Sequence, residues 1–426
     1  MELIALLVLL ALLLAAGVPV AFALGAASLV MFILLGIPPI VAFQRLAAGM
    51  NVFALMAIPF FVFAGELMAR TGIADRLIKV AEGMFGRMRG GLGQVDVGAS
   101  MLFGAVSGSA AASVSALGST LIPMMKAKGY DADYAVNVTI TAAILGILIP
   151  PSHNMIIYAA ASPVGIDVGA LFLAGVVPGL LAGGALMATA WIIAVKRGYP
   201  RGEFPGWRAF LRALAAAIPG LMTALIIVFG VLLGIFTPTE SAAIAVVYTI
   251  VIGFALYRTL DAKRFFEAAA AAVKTTAMVM LIIGAAGMFG WLFALLEGPQ
   301  ALGGLLAVAA GEPAVVMLLA LIILLVLGAF MDMAPLIIIT TPIFLPVAMD
   351  AGVDPVHFGI VMLLNLGIGL VTPPVGSVLF LGCAVGGARP EDVVRTIWPF
   401  YAALIVVLLL VAYVPALTLW LPNALK

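Results

Sequence analysis

The stretch Gly104-Ala-Val-Ser-Gly-Ser-Ala-Ala-Ala-Ser113 breaks apolar sequence with small and polar residues. It is followed by Leu121-Ile-Pro-Met124, the polar connector Lys126-Ala-Lys-Gly-Tyr-Asp-Ala-Asp133, and Ile149-Pro-Pro-Ser-His-Asn154. Shifted along the chain by 223 residues, much of this pattern returns. Pro123 meets Pro346, Gly129 meets Gly352, Asp131 meets Asp354, Gly146 meets Gly369, and Pro150-Pro151 meets Pro373-Pro374. Five matches at one gapless offset mark an internal repeat. Earlier parts of the halves correspond more loosely: Pro19 with Pro238, and Gly72 with Gly298.

Composition sets the environment of that repeat. Of 426 residues, 65% are hydrophobic and 9% charged, and mean hydropathy is +1.30. A soluble domain of this size could not keep so much apolar surface from water. Apolar runs recur at the length needed to cross a hydrocarbon layer of about 30 Å, without the alternation of an outer-membrane barrel. The fold class is therefore an all-α polytopic membrane protein. A net charge of +1 gives no basis for nucleic-acid binding, and the single Cys383 excludes an internal disulfide or thiolate cluster. Residues 3–14 lack a preceding basic residue and run into another span, so they read as a retained first helix and not a signal peptide.

Spans are expected at 3–16, 19–36, 50–68, 135–160, 168–194, 213–236, 238–258, 268–296, 356–382 and 396–421. Two apolar stretches, 94–125 and 313–349, are too interrupted to be single helices. Charge then sets topology. Arg70, Arg76, Lys79, Arg87 and Arg89 precede the first stretch, and Lys126 and Lys128 follow it. Around the second stretch lie Glu297, Glu312, Asp350 and Asp354, with no Lys or Arg between Lys274 and Arg389. Both ends of the first stretch are thus expected in the cytoplasm and both ends of the second outside, making each a re-entrant hairpin. Lys196 through Arg212, Arg258 to Arg264, and Arg389 with Arg395 agree, whereas Arg45 and Lys426 run against the bias. The halves read as inverted-topology repeats with external termini. The basic, amphipathic segment 70–93 is expected along the interface. The units are 1–93 (scaffold helices and arm), 94–194 (transport half 1), 195–312 (linker, scaffold helices and second arm) and 313–426 (transport half 2).

Irregular backbone at membrane depth persists only where protein or a water-filled site satisfies it. Four irregularities are expected: tips near 106–109 and 331–335, and breaks at 150–154 and 372–377. Paired broken helices in inverted repeats point to the midplane site of a secondary transporter. Half-helix carbonyl ends, with Ser and Asn oxygens, suit a hard cation, and amide ends suit a carboxylate. Asp332 is the acid at a tip, where an ion site competes with a helix cap or an acid reaching the interface. Ser107 and Ser109 are either ligands or small packing residues, and Ser152 and Asn154 either ligands or caps. Thr237-Pro-Thr-Glu240 reads as a capping box, Glu66 with Arg70 as an i,i+4 pair, and His153 as a hydrogen-bonded bystander.

Taken together, Ala105-Val-Ser-Gly-Ser-Ala110, Leu148-Ile-Pro-Pro-Ser152, Phe236-Thr-Pro-Thr-Glu240, Phe330-Met-Asp332, Thr341-Pro-Ile-Phe-Leu-Pro346 and Thr372-Pro-Pro-Val-Gly376 resemble the large membrane (M) subunit of TRAP transporters, the tripartite ATP-independent periplasmic carriers. The likeness covers nearly the whole chain in order. It implies a sodium-coupled importer of a small organic acid, such as a C4-dicarboxylate or sialic acid, in the bacterial inner membrane. It also implies an elevator movement, a periplasmic substrate-binding (P) subunit and a small four-helix membrane (Q) subunit. No cofactor beyond coupling sodium ions is expected. The implied sodium set is Ser107, Gly108, Ser109, Pro150, Ser152, Asn154, Asp332, Thr372 and Gly376. The implied substrate set is Ser109, Ser113, Asn154, Ala334, Pro374 and Ser377. Ser113 is uncharged where an acidic residue would add to the first ion site, and Ser-His-Asn follows the first Pro-Pro. The chain starts at its own first span, so the small subunit is expected as a separate polypeptide.

Two other classes compete. A stand-alone ion-coupled anion transporter would use the same hairpins without a binding protein. A membrane-embedded enzyme would need a catalytic pair or metal cluster in the bilayer, and the sequence offers no HExxH, paired intramembrane aspartates or aspartate-rich motif.

Overall fold

A computed structural model describes residues 1–298 and 313–425; among them, regular structure is helical, apart from one isolated bridge between Arg89 and Arg201. Glu312 and the end of the expected 195–312 unit lie outside the described residues.

The two halves repeat one order of elements. Hairpin 1 rises through Gly91–Ser107, turns at Gly108 (φ 61°), and descends through Ala110–Ser113, a π-helical turn at Val114–Gly118, and Ser119–Ala127. Hairpin 2 rises through Pro313–Phe330, turns at Met331 and Asp332, and descends through Met333–Asp350. Each hairpin ends at a glycine that takes the left-handed conformation other residues avoid, Gly129 at φ 81° and Gly352 at φ 83°. An extended aspartate then starts the next helix, Asp131 in one half and Asp354 in the other. Asp354 caps its helix, accepting from the amides of Val356 (2.8 Å) and His357 (3.1 Å). The first broken helix runs Ala132–Leu148, stops at Pro150-Pro151, and resumes as His153–Ala161 with a bend of 52°. The second runs Pro355–Gly369, stops at Pro373-Pro374, and resumes as Ser377–Gly386. Both Pro–Pro bonds are cis.

The two broken helices run antiparallel. A Cβ built on Gly386 would lie 2.4 Å from Val136 Cγ2, one on Gly382 2.1 Å from Ile140 Cγ2, one on Gly367 2.8 Å from Ile144 Cγ2, and one on Gly359 2.3 Å from Tyr158 Cε1. As the first helix advances from 136 to 158, its partner retreats from 386 to 359. Glycine on the second strand of this seam lets the backbones approach. Tyr158 closes one end by donating to the Pro355 carbonyl (2.7 Å), and Lys126 closes the other by donating to the Gly386 carbonyl (3.1 Å).

Around this core stand helices long and apolar enough to cross a membrane, among them Val168–Lys196, Trp207–Leu232, Pro238–Leu256 and Ala262–Leu295. The capping box forms: Thr237 Oγ1 accepts from the Glu240 amide, and the Glu240 carboxylate accepts from the Thr237 amide. Glu66 and Arg70 pair as expected.

Three features add detail to the expected elements. Pro39–Met50, between the second and third expected spans, is a helix pressed against Ala262–Leu295, where a Cβ on Gly287 would meet the Gly49 Cα at 3.1 Å. Gln44 and Arg45 interrupt its apolar sequence, so no span-length run marks it. The expected arm 70–93 contains a helix with one buried face. Ile73–Phe85 buries Ile73, Leu77, Ile78 and Ala81 against protein and bends 69° from Ala57–Arg70. The last span is two helices, Trp398–Tyr413 and Ala416–Leu425, parted at Pro415, whose ring cannot continue a helix.

Candidate functional site

Each hairpin tip rests on the broken helix of its own half. In both, a glycine pair lets the rising arm cross the helix just before the tip. A Cβ on Gly104 would lie 2.5 Å from the Gly146 Cα, and one on Gly328 would lie 3.2 Å from the Gly369 Cα. No larger residue fits such a backbone crossing without displacement.

At tip 1, Gly108 faces the break directly: its Cβ position is 3.1 Å from the Pro151 carbonyl oxygen and 3.3 Å from the His153 nitrogen. Ser109 caps the descending helix, its Oγ accepting from the Ala112 amide at 3.3 Å. Ser107 Oγ accepts from the Ser109 amide at 3.5 Å. Ser113 is buried and donates to the Ser109 carbonyl (3.0 Å), so its proton is committed within the tip. Ser152 occupies the N-cap position of His153–Ala161 yet makes no capping bond. Its Oγ is fully buried and has no partner among the described residues. A buried hydroxyl without a partner is costly, and such an oxygen at a helix break needs a reason. Pro150 and Asn154 are buried beside it. The ring of His153 makes no hydrogen bond among the described residues, which corrects its expected role as a hydrogen-bonded bystander.

Tip 2 is open where tip 1 is closed. Asp332 is exposed, makes no capping bond, and accepts from Ser377 Oγ at 3.2 Å. The Val375 amide donates to the Ala329 carbonyl (3.0 Å), binding tip to break. Thr372 donates to the Ile368 carbonyl (2.7 Å), while its own carbonyl oxygen lies 3.0 Å from the Cβ position of Gly376, which holds φ 32°. Tyr401 donates to the Val371 carbonyl. Pro374 and Ser377 are exposed, Ala334 half-buried.

The expected site residues therefore gather as two half-sites. No side chain of one tip hydrogen-bonds to the other tip among the described residues. The halves are joined by the antiparallel seam, by His153–Ala161 packing on Met333–Asp350, and by the π-turn of hairpin 1 packing on Ser377–Gly386. Tip 1 is also seated on Ala57–Arg70, where a Cβ on Gly65 would come 3.1 Å from the Ser107 carbonyl oxygen.

The donors at both half-sites are hydroxyl, carbonyl and carboxylate oxygens, a hard set suited to a small hard cation. No three His, Cys, Asp or Glu side chains converge among the described residues, so a transition-metal cluster has no ligands there.

At the basic end of the seam, Arg197 holds Asp133 through two bonds (2.9 and 2.8 Å) and Asp131 at 3.0 Å. Tyr199 donates to Asp131 at 2.6 Å. Burial, with that bond added, pushes the Tyr199 phenol up to about 12, so it stays a donor. Sequence reasoning missed this knot because its partners lie about 65 residues apart. It also missed Asp96, buried inside hairpin 1 against Thr139; the signal was an acid within an apolar stretch.

The large permease protein SiaM of a Vibrio cholerae sialic acid TRAP transporter is 39% identical over 364 residues, 85% of each chain. The C4-dicarboxylate large permease DctM of Pseudomonas aeruginosa is 40% identical, again over 85% of each. The isethionate permease protein DctMQ of Oleidesulfovibrio alaskensis is 38% identical over 96% of this chain and 65% of that longer one. The crystal structure of the Alcanivorax borkumensis YdaH transporter, titled for its unusual topology, shares the fold at a TM-score of 0.62 and 14% identity over 87% of each chain. The family model for the DctM component of tripartite ATP-independent periplasmic transporters matches residues 7–417. The chain thus belongs to the DctM family, the large permease proteins of these multi-pass membrane transporters, and is not an enzyme.

Proposed function

We propose that this chain is the membrane permease of a sodium-coupled importer of a small organic anion, fed by a periplasmic binding protein and paired with a small membrane subunit. The observation that carries it is the pair of tip-on-break half-sites joined by an antiparallel seam. Such a site offers oxygen ligands for cations and helix amide ends for an anion. The orphaned Ser152 Oγ in half-site 1 and the Asp332–Ser377 pair in half-site 2 are its cation ligands. Relatives are named for sialic acid, C4-dicarboxylates and isethionate, all small organic anions, the last a sulfonate and not a carboxylate. The name of the longer DctMQ relative supports a Q-type partner.

The inverted-topology reading gains support from the seam. Its one end gathers Lys126, Arg197 and the turn before Arg389, and its other gathers Asp354 and the Pro355 carbonyl that Tyr158 holds. With the basic end cytoplasmic, the protein sits in the inner membrane with its termini outside. The hairpins and broken helices form the moving part, and tip 1 seated against Gly65 is one resting position of an elevator.

The test is uptake into proteoliposomes containing this chain and its small subunit, with radiolabelled succinate and sialic acid. Uptake that needs both an inward sodium gradient and the cognate binding protein supports the reading. Uptake by this chain without any binding protein assigns it to the stand-alone class. Uptake indifferent to sodium removes the coupling ion.

A further inference from the structure

Asp96 is an acid that neither half-site uses. It lies in the second turn of Gly91–Ser107 and is fully buried. Its Oδ2 meets Thr139 Oγ1 on the first broken helix, and its Oδ1 has no hydrogen-bond partner among the described residues. Ser100, one turn on, is the other hydroxyl beside it.

No cation among the described residues pairs with this carboxyl. Among the described residues the salt bridges join Arg70 to Glu66, Arg197 to Asp131 and Asp133, and Arg389 to Asp392. The helices packed on it bring apolar or committed groups. From the broken helix, Tyr134 spends its hydroxyl on the Ala190 carbonyl (3.1 Å), and Asp133 is held by Arg197. Val168–Lys196 brings Met187, whose carbonyl accepts from Gln94 at 2.9 Å. Ile73–Phe85 turns Leu77, Ile78 and Ala81 inward, leaves Asp75 and Lys79 exposed and Glu82 half-buried, and lends Arg76 to the Gly72 carbonyl. Trp207–Leu232 buries Ala217 and Gly220 and exposes Arg208 and Arg212. On the hairpin's own return arm, Lys126 is spent on the Gly386 carbonyl.

The hydrogens can be counted. Thr139 has one hydroxyl proton but two acceptors in reach, Asp96 Oδ2 and the Ala135 carbonyl at 2.9 Å. A proton on Asp96 satisfies both contacts: the acid donates to Thr139 Oγ1, and Thr139 donates to Ala135. An ionised carboxylate would leave an unpaired charge and an unsolvated oxygen, a state buried acids avoid by taking a proton. Sodium fits poorly. The helices here are unbroken, so their carbonyls are occupied, and about six oxygen ligands cannot be assembled. We infer that Asp96 and Thr139 form a proton-binding site inside hairpin 1, separate from the two half-sites, and that the hairpin packs as seen here with Asp96 protonated. Ionisation at alkaline pH then drives Gly91–Ser107 and the first broken helix apart, and transport falls with it.

Infrared difference spectroscopy of the full chain in lipid vesicles tests this without reference to substrate or coupling ion. The wild type should show a buried carboxylic-acid carbonyl band at neutral pH that disappears on alkalinisation, and Asp96→Asn should lack it. Thr139→Val removes the hydroxyl that meets the acid in either protonation state, so the midpoint of its band should move by about one pH unit from the wild-type value. The same carboxylic-acid spectrum in wild type and Asp96→Asn overturns the assignment. So does a band that responds to sodium chloride at fixed pH. If Asp96→Asn does not fold, an unshifted midpoint in Thr139→Val overturns it alone.

Discussion

Replacing Ser152 with Ala should change the protein in opposite directions with and without sodium. The wild-type hydroxyl is fully buried and has no hydrogen-bond partner among the described residues. Such a group costs about 1–3 kcal/mol. Alanine removes the group, and a small void offsets part of the gain, so the variant should be more stable by about 1 kcal/mol. At about 2 cal/mol/K per residue, that is roughly a 1 °C rise in Tm for a chain of this length. If Ser152 Oγ is a sodium ligand, the variant also loses one oxygen from the ion. A loss of about 1.4 kcal/mol weakens sodium about tenfold. At a sodium concentration of about 100 times the wild-type Kd, sodium stabilises the wild type by about 2.7 kcal/mol and the variant by about 1.4 kcal/mol. The initial advantage is then cancelled, and the two stabilities cross as sodium rises.

The assay is thermal unfolding of purified protein in nanodiscs, titrating sodium chloride against choline chloride at constant ionic strength. Sodium half-saturation of uptake should rise about tenfold in parallel. A variant less stable than wild type without sodium, with an unchanged sodium midpoint, would show that Ser152 Oγ is a satisfied structural group. It would fall with the sodium reading of half-site 1.

Three further outcomes follow from the geometry. Asp332→Ala should weaken sodium dependence of uptake by tenfold or more while leaving Tm within about 1 °C, because an exposed acid bonded only to Ser377 contributes little to folding; unchanged sodium dependence removes Asp332 from the ion site. Gly104→Val should destabilise by about 1–3 kcal/mol, since its Cβ would sit 2.5 Å from the Gly146 Cα, whereas Gly184→Ala, with open space around it, should be neutral or slightly stabilising by thermal unfolding. Replacing Ser107 and Ser109 together with Ala should lower the initial rate of uptake far more than Ser162→Ala, whose hydroxyl accepts only from the Val164 amide at 3.2 Å; equal losses would make the tip serines packing residues.

What could be read in the sequence was set by residues with few substitutes. Gly129 and Gly352 must adopt positive φ, Asp131 and Asp354 must start a helix, and Pro-Pro cannot continue one. These marked the repeat and both helix breaks, while the run Ser107-Gly-Ser109 and the lone Asp332 marked the two tips. Two kinds of information were missing. Crossings such as Gly104 on Gly146 depend on the angle between helices, and a sequence rich in glycine gives no sign of which glycines meet. Pairings such as Asp96 with Thr139 depend on which face each helix turns, and uniformly apolar helices carry little amphipathic signal to set it.

The choice between cap and ligand is a harder case, since both roles call for the same oxygen at the same helix start. Only the partner atom separates them, and the structure gives different answers at three similar positions. Ser109 is a cap, bonded to Ala112; Ser152 sits at a cap position but bonds to nothing; Asp332 leaves its own helix uncapped and turns to Ser377 across the break. A fold seeking only stability would have closed all three. Ser152 is left unbonded and Asp332 bonded to Ser377 alone among the described residues, one in each half, and a cation that binds between tip and break would complete both.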